Sequence, residues 1–251
     1  AKPGDMIISF SDGVIHAGIG RLINLGWKRV NVMEFIQRNY RPHISARVMT
    51  KDLVSVCDHL YEGEPGDDTT VAAVHIMPRT TTRVMVGPAS SPDMDAKQVR
   101  DLILTSGKKV VCGGTTSKIV ARELGQKIDV ELKYYDEEGP PTAHIEGIDL
   151  VTEGILTLSA AEKRMKEYLD EYEDNVRKKE ILDLDKKDGA TKLVRLLVEE
   201  CTDVVFMIGQ ANNPAHQNLD APVSLNIKVR IVQNIATMLE KLGKHAEVEY
   251  Y

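Results

Sequence analysis

Hydrophobic positions along the chain change rhythm several times. Met6 to Phe10 is a short apolar run that stops at Ser11-Asp12-Gly13, which predicts a strand entering a turn. Apolar residues then recur at helical spacing over Asn31–Tyr40 (Val32, Phe35, Ile36) and Thr50–Leu60 (Leu53, Val54, Val56, Cys57, Leu60), and Gly63-Glu64-Pro65-Gly66 breaks the second helix. Thr69 to Met77 carries small or apolar side chains on both alternating faces, as a strand covered on both sides would. Pro78 to Thr82, a proline and three threonines, marks a boundary.

Beyond that boundary strands and helices alternate. The pattern predicts strand Arg83–Val86, helix Ala96–Leu104, strand Lys109–Cys112, helix Ser117–Leu124 and strand Asp129–Tyr134. A long helical region follows from about Ile148 to Leu184, in which Ser159-Ala160-Ala161-Glu162 has capping-box spacing and is expected to restart the helix. Helix Thr191–Glu200, strand Asp203–Ile208, helix Leu225–Leu242 and strand Ala246–Tyr250 complete the series. Gly125 and Gly243 fall where a left-handed residue would end a helix, and Ile227, Ile231, Ile235, Leu239 and Leu242 make one core stripe.

Strands separated by helices need crossover connections. The expected class is therefore α/β: a doubly wound, mostly parallel, Rossmann-like or flavodoxin-like sheet over residues 83–251, preceded by an α+β piece over residues 1–78.

Composition narrows the function. The 251 residues are 42% hydrophobic and 28% charged, enough to bury a core, and two domains are expected at this length. With 32 Lys+Arg against 38 Asp+Glu the formal charge is −6, and no Lys/Arg stripe interleaved with aromatics occurs, so binding to nucleic acid through its phosphates is not expected. The longest purely apolar run, Val204 to Ile208, is far short of the roughly 20 residues that span a bilayer, and no membrane partner is expected. Three cysteines without a CxxC pair suit buried thiols and a cytoplasmic location. The opening Ala1-Lys2-Pro3-Gly4-Asp5 has no signal-peptide character and reads as the interior of a longer chain.

Two carboxylate segments stand out in the first block. Asp12 follows a strand, Gly13 leaves the backbone free beside it, and about fifty residues later Gly66-Asp67-Asp68-Thr69-Thr70 opens another strand. Strand ends are rigid places from which to aim carboxylates at a shared divalent ion such as Mg²⁺ or Mn²⁺. Asp beside Gly is equally a turn pair, and both readings stand on spacing alone.

Gly4-Asp5-Met6-Ile7-Ile8-Ser9-Phe10-Ser11-Asp12-Gly13-Val14, followed by Gly66-Asp67-Asp68-Thr69-Thr70-Val71-Ala72-Ala73-Val74, resembles the C-terminal half of the metal-dependent PPM-type serine/threonine protein phosphatases, in the branch of stage II sporulation protein E (SpoIIE). The resemblance implies part of a β-sandwich, Asp12 and Asp67 as metal ligands, Gly13 as the turn glycine and Asp68 as the neighbouring motif position. It implies two Mn²⁺ or Mg²⁺ ions holding a water for in-line attack on phosphoserine or phosphothreonine in a protein substrate, without a covalent phosphoenzyme. The family's first half has no counterpart before Ala1, so this chain is expected to hold an incomplete metal site with little activity of its own. His16 stands where many relatives carry an acid and reads as a structural turn residue. An unpaired strand edge in residues 1–78 would favour a homodimer.

In residues 83–251 function has to be read from topology. Ligands of doubly wound sheets bind beyond the carboxyl ends of strands where strand order reverses. That rule selects Gly87-Pro88-Ala89-Ser90-Ser91, Cys112-Gly113-Gly114-Thr115-Thr116-Ser117, Tyr134-Tyr135, and Gly209 to Asn218. Gly113, Gly114, Thr115 and Thr116, between a strand and a helix, either hold a small anion on helix amides or make a tight turn and cap. They match neither a Walker A motif nor GxGxxG. Asn212, Asn213, His216, Gln217 and Asn218, grouped around Pro214, suit recognition of a sugar, nucleotide or peptide group, or Asx-turn chemistry in a long loop. Glu146, beside Gly147, and Glu153, beside Gly154, are acids next to glycines, and Glu153 reads equally as the polar face of a helix. The alternative to a phosphatase is thus a regulatory ligand- or partner-binding α/β module with an inert phosphatase remnant.

Overall fold

The computed structural model describes residues 1–130, 142–174, 183–211 and 221–251. The chain divides into two units, Ala1–Pro78 and Arg79–Tyr251.

In the first unit β1 (Met6–Phe10) pairs antiparallel with β2 (Val71–His75), Ile8 opposite Ala73. Three helices accompany them: α1 (Asp12–Ile15), α2 (Arg29–Asn39) and α3 (Ala46–Leu60). The core joins Met49, Leu53 and Cys57 of α3 to Val14, Ala17, Val32, Trp27 and Tyr61, with Trp27 edge-on to Phe35 at 5.5 Å. The predicted turn at Asp12-Gly13 is instead the first turn of α1. Helix α3 starts four residues before the expected Thr50, because the Ser45 hydroxyl accepts from the Val48 amide and sets the N-terminus there. β2 is not covered on both faces: Val71, Ala73 and His75 are partly buried, whereas Ala72 and Val74 are exposed. A two-stranded sheet with helices packed on one side buries only alternate residues.

The second unit holds a seven-stranded sheet in the order β5-β6-β7-β4-β3-β8-β9. Its strands are β3 (Thr81–Val86), β4 (Lys109–Cys112), β5 (Asp129–Val130), β6 (Ala143–His144), β7 (Leu150–Thr152), β8 (Asp203–Ile208) and β9 (His245–Tyr250). β7, β4, β3, β8 and β9 run parallel, and β5 and β6 add antiparallel at one edge. Helices cover both faces. Val84, Val86, Val110, Cys112, Phe206 and Ile208 face α6 (Ile155–Asp174), α7 (Gly189–Glu199) and α8 (Ala221–Lys241). Met85, Val111, Val151, Val205 and Met207 face α4 (Pro92–Ile103) and α5 (Gly114–Leu124). Burial on both faces explains why β8 reads as an uninterrupted apolar run.

Several expectations fail for identifiable reasons. Leu150–Thr152, expected as helix, is a strand buried at all three positions, and so short a buried run carries no period to separate strand from helix. Helix α6 begins only at Ile155 and passes through Ser159–Glu162 without a restart, since Gly154 opens it and the Leu158 amide bonds to Gly154 O. Leu184 lies in a turn outside the helix, buried in the core. Helix α4 begins at Pro92, which fits the first helical position, and α7 begins at Gly189, behind the Asp188 cap. Helix α5 begins at Gly114, so the glycine-threonine segment is helix and not the loop before it. Residues 131–134 of the expected strand ending at Tyr134, and residues 175–182 of the expected long helix, fall outside the described residues.

All three cysteines are buried free thiols, and burial pushes Cys57 and Cys112 up to about 11. Neither is poised as a nucleophile. Among the described residues, no helix is long and apolar enough to cross a membrane.

Candidate functional site

In the first unit the two carboxylate segments meet. Ser11 occupies the N-cap position of α1, yet its hydroxyl is turned to the other segment, donating to Asp68 O at 2.9 Å and accepting from the Thr70 amide at 2.9 Å. The Ser11 amide adds a bond to Thr70 O at 3.0 Å. This approach is why residue 13 is glycine: a Cβ there would lie 2.5 Å from Asp68 O and 2.9 Å from Thr69 Oγ1. The buried Tyr61 hydroxyl donates to Gly13 O at 2.9 Å. Burial pushes the Tyr61 phenol up, the Thr69 hydroxyl bonded to it opposes that, and the carboxylates of Asp67 and Asp12, with the Cys57 thiol, push it up further. Asp12 and Asp67 therefore share one phenol as electrostatic neighbour.

Asp12, Asp67 and Asp68 are exposed, and Asp67 Oδ1 accepts from the Asp68 amide at 2.7 Å. No lysine or arginine among the described residues pairs with Asp12 or Asp67. Two hard oxygen donors without a compensating cation fit a divalent ion of the Mg²⁺ or Mn²⁺ type. They do not complete its shell: among the described residues there is no group of three or more His, Cys, Asp or Glu able to hold a metal. His16 ends α1, its amide bonded to Asp12 O at 2.9 Å.

In the second unit strand order reverses between β3 and β8: the chain moves from β3 to β4 to β7 on one side, then returns to β8 and β9 on the other. Glycines line the carboxyl ends there. Gly87 (φ +83) follows β3 and Gly113 (φ +118) follows β4, conformations that a side chain would strain. The backbones after β3 and β8 touch, since a Cβ on Gly209 would lie 1.9 Å from Pro88 O. The Thr116 hydroxyl accepts from the Gly87 amide at 3.1 Å, joining α5 to the loop after β3. Tyr251 O accepts from both Ser90 N (3.2 Å) and Gln210 N (2.9 Å), and Asp95 Oδ1 accepts from Ala89 N at 2.9 Å. The loops after β3 and β8 are thus tied to each other through the Tyr251 carbonyl.

Two features give the crevice positive character. Gly113 caps α5 without a side chain, Gly114 and Thr115 are exposed, and among the described residues nothing lies within 4 Å of a Cβ on Gly114, so no side chain there covers the positive end of the helix. Lys228, on α8, donates to Gly209 O at 2.9 Å, and its Nζ lies 2.3 Å from where a Gly87 Cβ would stand. It has no acid partner among the described residues, and burial pushes its ammonium pKa down. Gly154 closes the far side, its Cβ position 3.5 Å from the Gly113 Cα.

Of the residues expected from sequence, the structure brings together Asp12, Gly13, Asp67 and Asp68 in one unit and Gly113, Gly114, Thr115 and Thr116 in the other. Thr116 is buried and engaged as a latch on Gly87. Asn212, Asn213, His216, Gln217 and Asn218 lie outside the described residues. Sequence reasoning misses Tyr61, which looks like one more core aromatic, and Lys228. A signal for Lys228 exists: it precedes Ile231, Val232 and Ile235 by three, four and seven positions, so the helical period puts a lysine on the buried face.

Comparison with known proteins finds no match to this chain among protein-family models, curated proteins or solved structures.

Proposed function

We propose that residues 1–78 supply part of a metal-dependent phosphatase centre acting on phosphoserine or phosphothreonine in a protein substrate, with Asp12 and Asp67 as ligands to Mn²⁺ or Mg²⁺. The observation that carries this reading is the closure of Gly13 onto the Asp68 carbonyl, which holds the two carboxylate segments together without a cation between them. Bound divalent ions would supply an activated water for attack on phosphorus. The chain's own part is to hold the two carboxylates on rigid neighbours. Two aspartates are fewer than the resemblance calls for, so the chain by itself should turn over phosphoprotein poorly. Titration with Mn²⁺ tests the reading: saturable broadening of the Asp12, Gly13 and Asp68 amide resonances, lost in Asp67→Asn, is expected. Its absence in the unaltered chain would overturn the assignment, and family-like turnover would overturn the incomplete centre.

A second reading rests on a separate observation: Lys228, without an acid partner among the described residues, reaches Gly209 O and the Gly87 loop to which Thr116 of α5 is also bonded. In this reading residues 79–251 form a Rossmann-like module that binds a small phosphorylated or otherwise anionic ligand in a regulatory role. The strand order and the glycines at the β3/β8 reversal support it. Thermal stabilisation by inorganic phosphate or nucleotides, retained in Asp67→Asn but lost in Lys228→Met, is the expected result. Equal stabilisation of both variants would sink it.

A further inference from the structure

We infer that Tyr61 is a positioning residue for the Asp12–Asp67 pair, an inference that rests on the metal-centre reading above. Tyr61 immediately follows α3 and is anchored there, its amide bonded to Cys57 O at 2.9 Å and its ring in the core with Met49 and Leu53. It is the last rigid point before the chain turns through Glu62 (φ +56) and Gly63 (φ +75) toward Asp67. From that anchor its hydroxyl donates to the buried carbonyl of Gly13, next to Asp12, at 2.9 Å, and lies beside the Thr69 hydroxyl, which itself donates to Asp67 O at 3.3 Å. Carboxylate ligands have to be held to within about 0.5 Å to share an ion, and the loops that carry these two have exposed side chains. One tyrosine, bonded to the Asp12 loop through its hydroxyl and packed near the Asp67 loop, where a Gly66 Cβ would lie 3.8 Å from its ring, fixes their separation from the inside, where Ser11 fixes it from the outside.

The ring and the hydroxyl have separable roles. Tyr61→Phe keeps the packing and removes only the hydroxyl, with its hydrogen bond to Gly13 O. On the full chain, Mn²⁺ affinity measured from the free-ion EPR signal should fall roughly five- to tenfold in Tyr61→Phe, the loss expected for one hydrogen bond. Circular dichroism should remain that of the unaltered protein. Thr69→Val removes the neighbouring hydroxyl while leaving Tyr61 in place, and should weaken Mn²⁺ binding in the same direction by a smaller factor. Mn²⁺ affinity in Tyr61→Phe equal to that of the unaltered chain, with only a lowered melting temperature, would overturn the positioning role and leave the metal reading standing. No saturable binding by the unaltered chain would overturn both.

Discussion

The Lys228 ammonium is held by the carbonyl of Gly209 at 2.9 Å, with no carboxylate to balance it among the described residues. Replacing a half-buried, uncompensated charge by an apolar side chain of similar length removes a desolvation cost and orphans one carbonyl, effects of about 1–3 kcal/mol each and opposite in sign. Lys228→Met should therefore melt within a few degrees of the unaltered chain in buffer without phosphate while losing the phosphate-dependent rise, as calorimetry would show.

The same lysine gives a pH dependence. Its folded-state pKa is depressed by burial, so the unfolded chain binds the proton more tightly and stability rises as pH climbs from the folded pKa toward the ordinary value of about 10.4. Affinity for an anion falls over the same rise, because the charge is lost. Denaturation and phosphate-binding curves from pH 7 to 10.5 should move in opposite directions, and Lys228→Met should flatten both.

Gly13→Ala places a methyl 2.5 Å from Asp68 O and forces the two carboxylate segments apart. Overpacking against backbone costs about 1–3 kcal/mol, and the separation should abolish Mn²⁺ binding. Gly66→Ala is the control, its Cβ meeting only Tyr61 Cε1 at 3.8 Å. Urea denaturation and Mn²⁺ titration of both variants would separate the outcomes.

Asp188 caps α7 through the amides of Ala190 (3.1 Å) and Thr191 (3.0 Å), accepts the Thr191 hydroxyl at 2.7 Å, and pairs with Arg164 of α6. Burial pushes its carboxyl up, but the Thr191 bonds and Arg164 outweigh it, so the pKa lies below the ordinary aspartate value. Its contribution is thus present above about pH 3.9 and is lost as pH falls through the depressed folded value. Asp188→Asn should cost about 3–5 kcal/mol at pH 7, and progressively less as pH falls below the ordinary aspartate range, in paired urea titrations.

The two-stranded sheet leaves one face bare, with Ile7 56% and Val74 61% exposed beside the free edge of β1. Self-association through this face should appear as a mass that rises with concentration in sedimentation velocity, and Ile7→Lys should suppress it. A monomer at high concentration would rule it out.

The parallel strands that are long and apolar, such as β8, are legible in the sequence because burial on both faces leaves an unbroken hydrophobic signature. Leu150–Thr152 is not, since three buried residues fit a helix or a strand equally well. Helix starts at Ala46, Pro92 and Gly189 are set by Ser45, Ser91-Pro92 and Asp188, local signals that apolar spacing overlooks. Gly113 and Gly114 are legible as a candidate site because a glycine pair between strand and helix is locally costly. The helical period places Lys228 on a buried face but says nothing of Gly209, the carbonyl it reaches, and Tyr61 acts through Gly13, 48 residues away, which no local pattern carries.

The position of β3 in the middle of the sheet has a consequence for biosynthesis. Thr81 pairs with Asp203, 203 − 81 = 122 residues later, whereas Arg83 finds Lys109 within one crossover. At a translation rate of about 5–20 residues per second, roughly 6–24 s separate emergence of β3 from that of its second neighbour. During that interval the nascent chain holds five of the seven strands, β3 to β7, and lacks β8 and β9, so the edge of Thr81–Val86 stays open. This interval is when the protein is most exposed to misassembly on the ribosome and most in need of a chaperone.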